Sequence, residues 1–152
     1  MSEQVQIVRL EKQRVAVAWA FSPSPEHDAW GKMEAAAGPA GLLADPQARM
    51  FGFNNPNPSP GSPNYGYQFC VTVGPDTPIP DGLQEGAIEG GAYAVVPFSI
   101  PEGGDPGEAI PAAWARLDAW VSASAHDRGS QQWLEEHTLQ GKIRALYYPL
   151  TR

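Results

Sequence analysis

The sequence predicts a mixed helix-and-strand fold in which one unit, strand pair, helix, strand pair, is written twice. Three observations predict it. Short apolar runs alternate with period two, as strands do. Two capped amphipathic segments recur about eighty residues apart, each between strand runs. A Pro- and Asp-rich connection, 74 to 82, falls between the two series. The halves are thus expected at about 1–74 and 83–152, inside one domain spanning 1–152. Each half alone has one helix and a small sheet, a marginal core, so the halves are expected to pack together and leave a groove where they meet.

Taken in order, Val5 to Leu10 and Arg14 to Phe21 read as the first strand pair, broken at Glu11 and Lys12. Ser24, Pro25 and Glu26 supply a cap, a first-turn proline and an early acid; Trp30, Met33 and Ala37 follow at helical spacing, and Gly38-Pro39 ends the helix. Ala48 to Asn54 is the next strand. The Pro-rich stretch 55–64 cannot hold a ladder and is a loop. Tyr67 to Val73 resumes as a strand. In the second half, Glu85 to Glu89 and Ala92 to Phe98 form a pair. Asp105, Pro106 and Glu108 have the spacing of a capping box, and Ile110, Trp114, Leu117 and Val121 make one apolar face. A hairpin from Gln131 to Leu150 closes the unit.

Composition excludes several functions. The 152 residues carry a formal charge of -7, with ten Lys and Arg. Those ten are scattered, which argues against direct nucleic-acid binding. Cys70 is the single cysteine, so no internal disulfide and no Cys-based zinc site is expected, and a reducing, cytoplasmic setting follows. Its place between Phe69 and Val71 makes it a buried structural thiol. Met1 to Gln4 lacks the regions of a signal peptide, and no apolar run reaches membrane-spanning length. His27, His126 and His137 lack metal-site spacing, and no phosphate-binding glycine loop is present, so neither metal nor cofactor is expected.

The hairpin strand carries the chemistry. Alternation places Trp133, Glu135 and His137 on one face and Leu134 and Glu136 on the other. An acid set beside aromatic rings can receive a cation or exchange protons. The competing roles for Glu135 are an exposed strand acid or a salt bridge with Arg144 across the hairpin; Glu136 is read as solvated. The rings of Trp19, Trp114, Trp133, Tyr67, Tyr93 and Tyr148 are candidates for a ligand-stacking cage, with core packing as the alternative for each. His137 joins the candidate ligand-binding set through its shared face with Glu135.

Together, the stretch from Arg49 to Pro56, Tyr67 to Val73, Gly91 to Val95, the helix from Ile110 to Trp120, and Glu135 to His137 with Tyr147 to Leu150 resemble the GyrI-like small-molecule-binding family. That family includes the effector-binding domains of AraC-type and MerR-type multidrug regulators. The resemblance implies an α+β fold with two helices backing an antiparallel sheet, pseudo-twofold symmetry and a ligand groove between halves. It also implies that Glu135 matches a groove acid facing cationic, hydrophobic ligands. His137 stands where an aromatic is usual, and Gln68 and Ala145 stand where acids are common. Three functions follow as expectations. The first is a stand-alone protein that captures a hydrophobic or cationic small molecule, acting on transcription only through a separate regulator. The second is a hydrolase of reactive cyclopropane-containing natural products, with Glu135 as its catalytic acid or base beside Trp133 and Trp114. The third is a protein inhibitor of DNA gyrase.

Overall fold

A computed structural model describes residues 4–151. Met1 to Glu3, in the segment read as lacking a targeting signal, and Arg152, at the end of the second half, lie outside the described residues. The elements are β1 (Gln6–Leu10), β2 (Gln13–Ser22), α1 (Pro25–Ala37), β3 (Met50–Asn54) and β4 (Tyr65–Thr72), then β5 (Gln84–Ile88), β6 (Gly91–Pro97), α2 (Pro106–Ala123), β7 (Leu134–His137) and β8 (Ile143–Leu150). This is the α+β order expected, two strands, a helix and two strands, twice over.

All eight strands join one curled antiparallel sheet in the order β1-β6-β8-β7-β3-β4-β2-β5. Exchanging each strand with its counterpart in the other half reproduces that order reversed, which is the pseudo-twofold. The strands do not pair as their proximity in sequence suggested. β1 pairs with β6, not β2, and β5 pairs with β2, not β6. The first strand of each half is thus given to the other half's sheet edge, where Val8 and Leu10 join a core containing Ile88 and Tyr93. Sequential adjacency is a tendency in sheets, and here burying both apolar edges across the halves prevails over it.

The helices lie on one face. Small residues on β2, namely Ala16, Ala18 and Ala20, admit α1 closely, so that Ala29, Met33 and Ala37 pack against them and against Phe69 and Val71. α2 repeats the arrangement, Ala113, Leu117 and Val121 meeting Ala92, Ala94 and Leu146. The Asp105 side chain caps α2 through Gly107 N at 2.9 Å, but the Ser24 side chain makes no cap bond to α1. α1 packs chiefly on β2 and β4 and α2 on β6 and β8. The central strands β3 and β7 therefore lie in the gap between the helices. The other face is closed by its own core, including Val15, Phe51, Cys70, Tyr93, Leu134 and Tyr147. Cys70 is there fully buried, and burial raises its thiol to about 11.

On that helix-free face Glu136 is buried, not solvated. Arg49 grips it with two nitrogens at 3.1 Å each, and the Tyr147 hydroxyl donates to it at 2.6 Å. The solvated reading failed because the partner cation comes from 87 residues away, at the entry to β3. Removing Arg49 leaves a buried acid without its cation, which is strongly destabilising. Arg49→Ala is expected to cost about 3 kcal/mol in urea unfolding. Adding Glu136→Gln to it should return part of that loss, because the uncompensated charge is then gone.

A candidate ligand groove around Glu135

The gap between the helices is a cavity of about 1310 Å³. Trp30 of α1, Tyr67 and Phe69 of β4, Ile110 of α2, and Glu135 and His137 of β7 contribute to its lining. Each is placed by the period of its element. Tyr65, Tyr67 and Phe69 alternate along β4 onto the helix face. Trp30 lies beside buried Ala29 and packs against the β7–β8 turn at Gly141, where a Cβ would fall 2.7 Å from the indole. At φ 83° that turn residue is also in the left-handed region that favours glycine.

Glu135 sits at the centre. It pairs in register with Gly52 of β3 and Leu146 of β8. Arg144 is exposed on β8, and the partners of Glu135 among the described residues are neutral donors. The Tyr67 hydroxyl donates to its Oε1 at 2.7 Å, and the Trp114 indole N–H donates to its Oε2 at 3.3 Å. Tyr67 reaches this acid because β3 carries glycine at position 52, where a Cβ would fall 2.3 Å from the hydroxyl. Burial raises the Glu135 carboxyl, the two hydrogen bonds oppose that, and the negative charge of Glu26 adds to it. Burial also raises Tyr67 well above its ordinary range, with Glu135 reinforcing the effect, so the phenol stays protonated.

His137 lies on the same side as Glu135, as alternation predicts, although the β7–β8 register shifts between Glu136 and His137. Its Nε2 is 3.0 Å from the Tyr67 hydroxyl, and its buried Nδ1 has no hydrogen-bond partner. Burial pushes the imidazole down to about 4, against an opposing contribution from Glu136, so it is neutral near pH 7. A second acid enters from α1. Tyr65 donates to Glu26 at 2.6 and 2.9 Å, and burial followed by Glu26 raises that phenol to about 12.

Glu135 also borders a smaller cavity of about 260 Å³, shared with Phe53, Asn57, Trp114 and Trp133. Trp133 is fixed there by three neighbours: Trp114 at 5.1 Å and Tyr148 at 4.4 Å between ring centroids, and the Arg128 guanidinium 4.9 Å from its ring. Such a braced ring stacks on a ligand with little loss of freedom.

Of the residues singled out from the sequence, the structure brings Glu135, Tyr67, His137, Trp114 and Trp133 together. Tyr148 stands behind Trp133, its hydroxyl bonded to Asp118 at 2.5 Å and to Arg128 at 3.0 Å. Tyr93 is buried in the helix-free face, bonded to the Gln132 carbonyl at 3.2 Å. Trp19 is exposed near the end of β2, stacked on Phe21 and donating to the Asn55 carbonyl at 2.6 Å. Its ring borders a different cavity, with Lys32 and Gln68. Sequence reasoning missed Gly52, Tyr65, Phe69, Trp30 and the second role of Glu26. The two-residue step from Tyr65 to Tyr67 was a usable sign for one of them. Among the described residues no group of three or more His, Cys, Asp or Glu is placed to hold a metal ion, and no helix is long and apolar enough to cross a membrane.

Comparison with known proteins bears on the family and the fold. The model of the GyrI-like small molecule binding domain matches residues 3–140. The chain belongs to that family. No curated protein matches it in sequence. Among solved structures it is similar to the EcmrR C-terminal domain, with a TM-score of 0.67 at 14% identity, covering 100% of this chain and 99% of that one. It is similar to SAV2435 bound to tetraphenylphosphonium, with a TM-score of 0.56 at 13% identity over 97% and 94% of the two chains. An integron cassette protein of Vibrio cholerae gives a TM-score of 0.60 at 12% identity over 96% and 95%. At these identities the likeness concerns the fold.

Because burial raises the Glu135 carboxyl above its unfolded value, protonation is easier in the folded protein than in the unfolded chain. Its contribution to stability is full below the unfolded carboxylate range, about pH 4.3, and is lost as pH rises through the higher folded value. Glu135→Gln is therefore expected to be more stable than wild type at pH 7, with the difference closing near pH 4. Urea unfolding at the two pH values checks it.

Proposed function

We propose that this protein captures hydrophobic aromatic cations, with Glu135 as the ligand's charge partner and the surrounding rings as its apolar walls. One observation carries the reading. Of the two adjacent acids on β7, buried Glu136 has a cation, whereas half-buried Glu135 has, among the described residues, only the neutral donors Tyr67 and Trp114. A half-buried carboxylate without a counterion lacks compensation that a bound cation would supply. Rings such as Trp30, Phe69 and Trp133 add apolar burial and cation-π attraction. A family built to bind small molecules, and a relative in fold that holds tetraphenylphosphonium, support the same direction. Glu26 supplies further negative charge at the groove, while exposed Lys142 and Arg144 moderate it at the rim.

Hydrolysis of reactive cyclopropane-containing natural products is the second reading. It is favoured by the position of Glu135, whose raised carboxyl lies between a phenol and an indole donor where it could give or take a proton.

Titration with tetraphenylphosphonium and with neutral triphenylphosphine oxide, read by tryptophan quenching, tests the binding proposal. Glu135→Gln should weaken the cation by about 1 to 3 kcal/mol and leave the neutral compound unchanged. Equal weakening of both would make the acid structural. Incubation with an electrophilic cyclopropane natural product, followed by mass spectrometry, separates capture from hydrolysis. Capture predicts intact compound, and a water-added product that disappears in Glu135→Gln would establish the enzyme.

A further inference from the structure

The Tyr67 hydroxyl has one proton and two neighbours, Glu135 Oε1 at 2.7 Å and His137 Nε2 at 3.0 Å. It donates to one and accepts from the other. If it donates to Glu135, then His137 donates from Nε2 and the unpartnered Nδ1 is a bare lone pair. If it donates to His137, then Nδ1 carries a hydrogen, a buried donor without an acceptor, and Glu135 must itself be protonated to donate to the phenol. A buried N–H left unpaired is the rarer and costlier fault, and Nδ1 is the one buried side-chain nitrogen or oxygen without a partner among the described residues. The second arrangement also spends a proton on Glu135, although Trp114 already presents a donor to its other oxygen at 3.3 Å. The first arrangement satisfies both carboxylate oxygens as acceptors.

We infer that His137 is a positioning residue: by donating from Nε2 to Tyr67, it commits the phenol proton to Glu135 and keeps the groove's acid ionised and selective for cations. His137 acts as a neutral donor and touches Glu135 only through Tyr67. Burial accounts for its neutrality, since the residue is 8% exposed and its protonation is pushed down to about 4. The ionisable groups around the relay are Glu26 and His27 from α1, Tyr65 and Cys70 from β4, Glu136 next to His137 on β7, and Lys142 and Arg144 at the start of β8. Glu26 works against ionisation of Glu135. The relay, with Trp114, is what offsets it. The link from Glu135's charge to ligand choice rests on the binding role proposed above; the hydrogen-bond direction does not.

Nitrogen-15 and carbon-13 NMR of the full chain, labelled at His and Glu, tests both parts. Wild-type His137 should show the neutral Nε2–H form at pH 7; the Nδ1–H form would overturn the inference without any variant. His137→Phe removes the donor, so the Glu135 carboxyl midpoint should rise by about half a pH unit. Tetraphenylphosphonium affinity below the wild-type midpoint should fall about threefold, with triphenylphosphine oxide unaffected. His137→Gln, whose amide N–H reaches to a similar distance, should restore both. A midpoint that stays or falls in His137→Phe would overturn the inference, because a phenol released from donating to His137 would serve Glu135 better. A raised midpoint with unchanged cation affinity in Glu135→Gln would retain the relay and remove the binding role.

Discussion

The pairing of β3 with β7 is the constraint on which the rest of this structure depends. Met50, Phe51 and Gly52 meet His137, Glu136 and Glu135 in register at the pseudo-twofold centre, and this ladder joins the two halves. Because successive side chains on β7 point to opposite faces, the ladder sends one acid each way. Glu136 goes to the closed face, where Arg49 and Tyr147 satisfy it. Glu135 goes to the face between the helices. The same strand thus holds a completed ion pair on one side and, among the described residues, an acid met only by neutral donors on the other.

The groove exists because each helix is anchored over its own half. Alanines on β2 and β6 draw α1 and α2 close to the flanks of the sheet and away from its centre. Over that centre, glycine at position 52 lets the Tyr67 ring lie against β3 and meet Glu135. On the other side Trp133 is held between Trp114 and Tyr148 under Arg128. Rings and donors are therefore in place before a ligand arrives, and the acid they surround is raised by burial only as far as two hydrogen bonds permit. The role proposed for this residue and the stability of the fold pull against each other, as expected where a charge is kept under cover.

Much of this could be read from the sequence, because the relevant signals are local. Pro25 and Pro106 mark both helix starts, period-two runs mark the strands, and alternation on β7 separates Glu135 with His137 from Glu136. The resemblance reached the same acid through Glu135 to His137. What could not be read is long-range. Strand exchange between halves, β1 to β6 and β5 to β2, has no signature in a short break such as Glu11-Lys12. The burial of Glu136 depends on Arg49, which is 87 residues away, and the reach of Tyr67 depends on an absent side chain at Gly52 on the neighbouring strand. Aromatic count likewise could not tell Tyr93, in the closed core, from Tyr67, in the groove; only the register of β4 and β6 does so.

The central claim is that an uncompensated acid between two aromatic chambers is where a ligand's positive charge comes to rest. A crystal structure of the protein with tetraphenylphosphonium tests it most directly. The phosphorus is expected within about 6 Å of the Glu135 carboxylate, with phenyl rings against Trp30 and Phe69 and Tyr67 still donating to the acid. A cation seated away from Glu135, for instance against the exposed rings of Trp19 and Phe21, would contradict it.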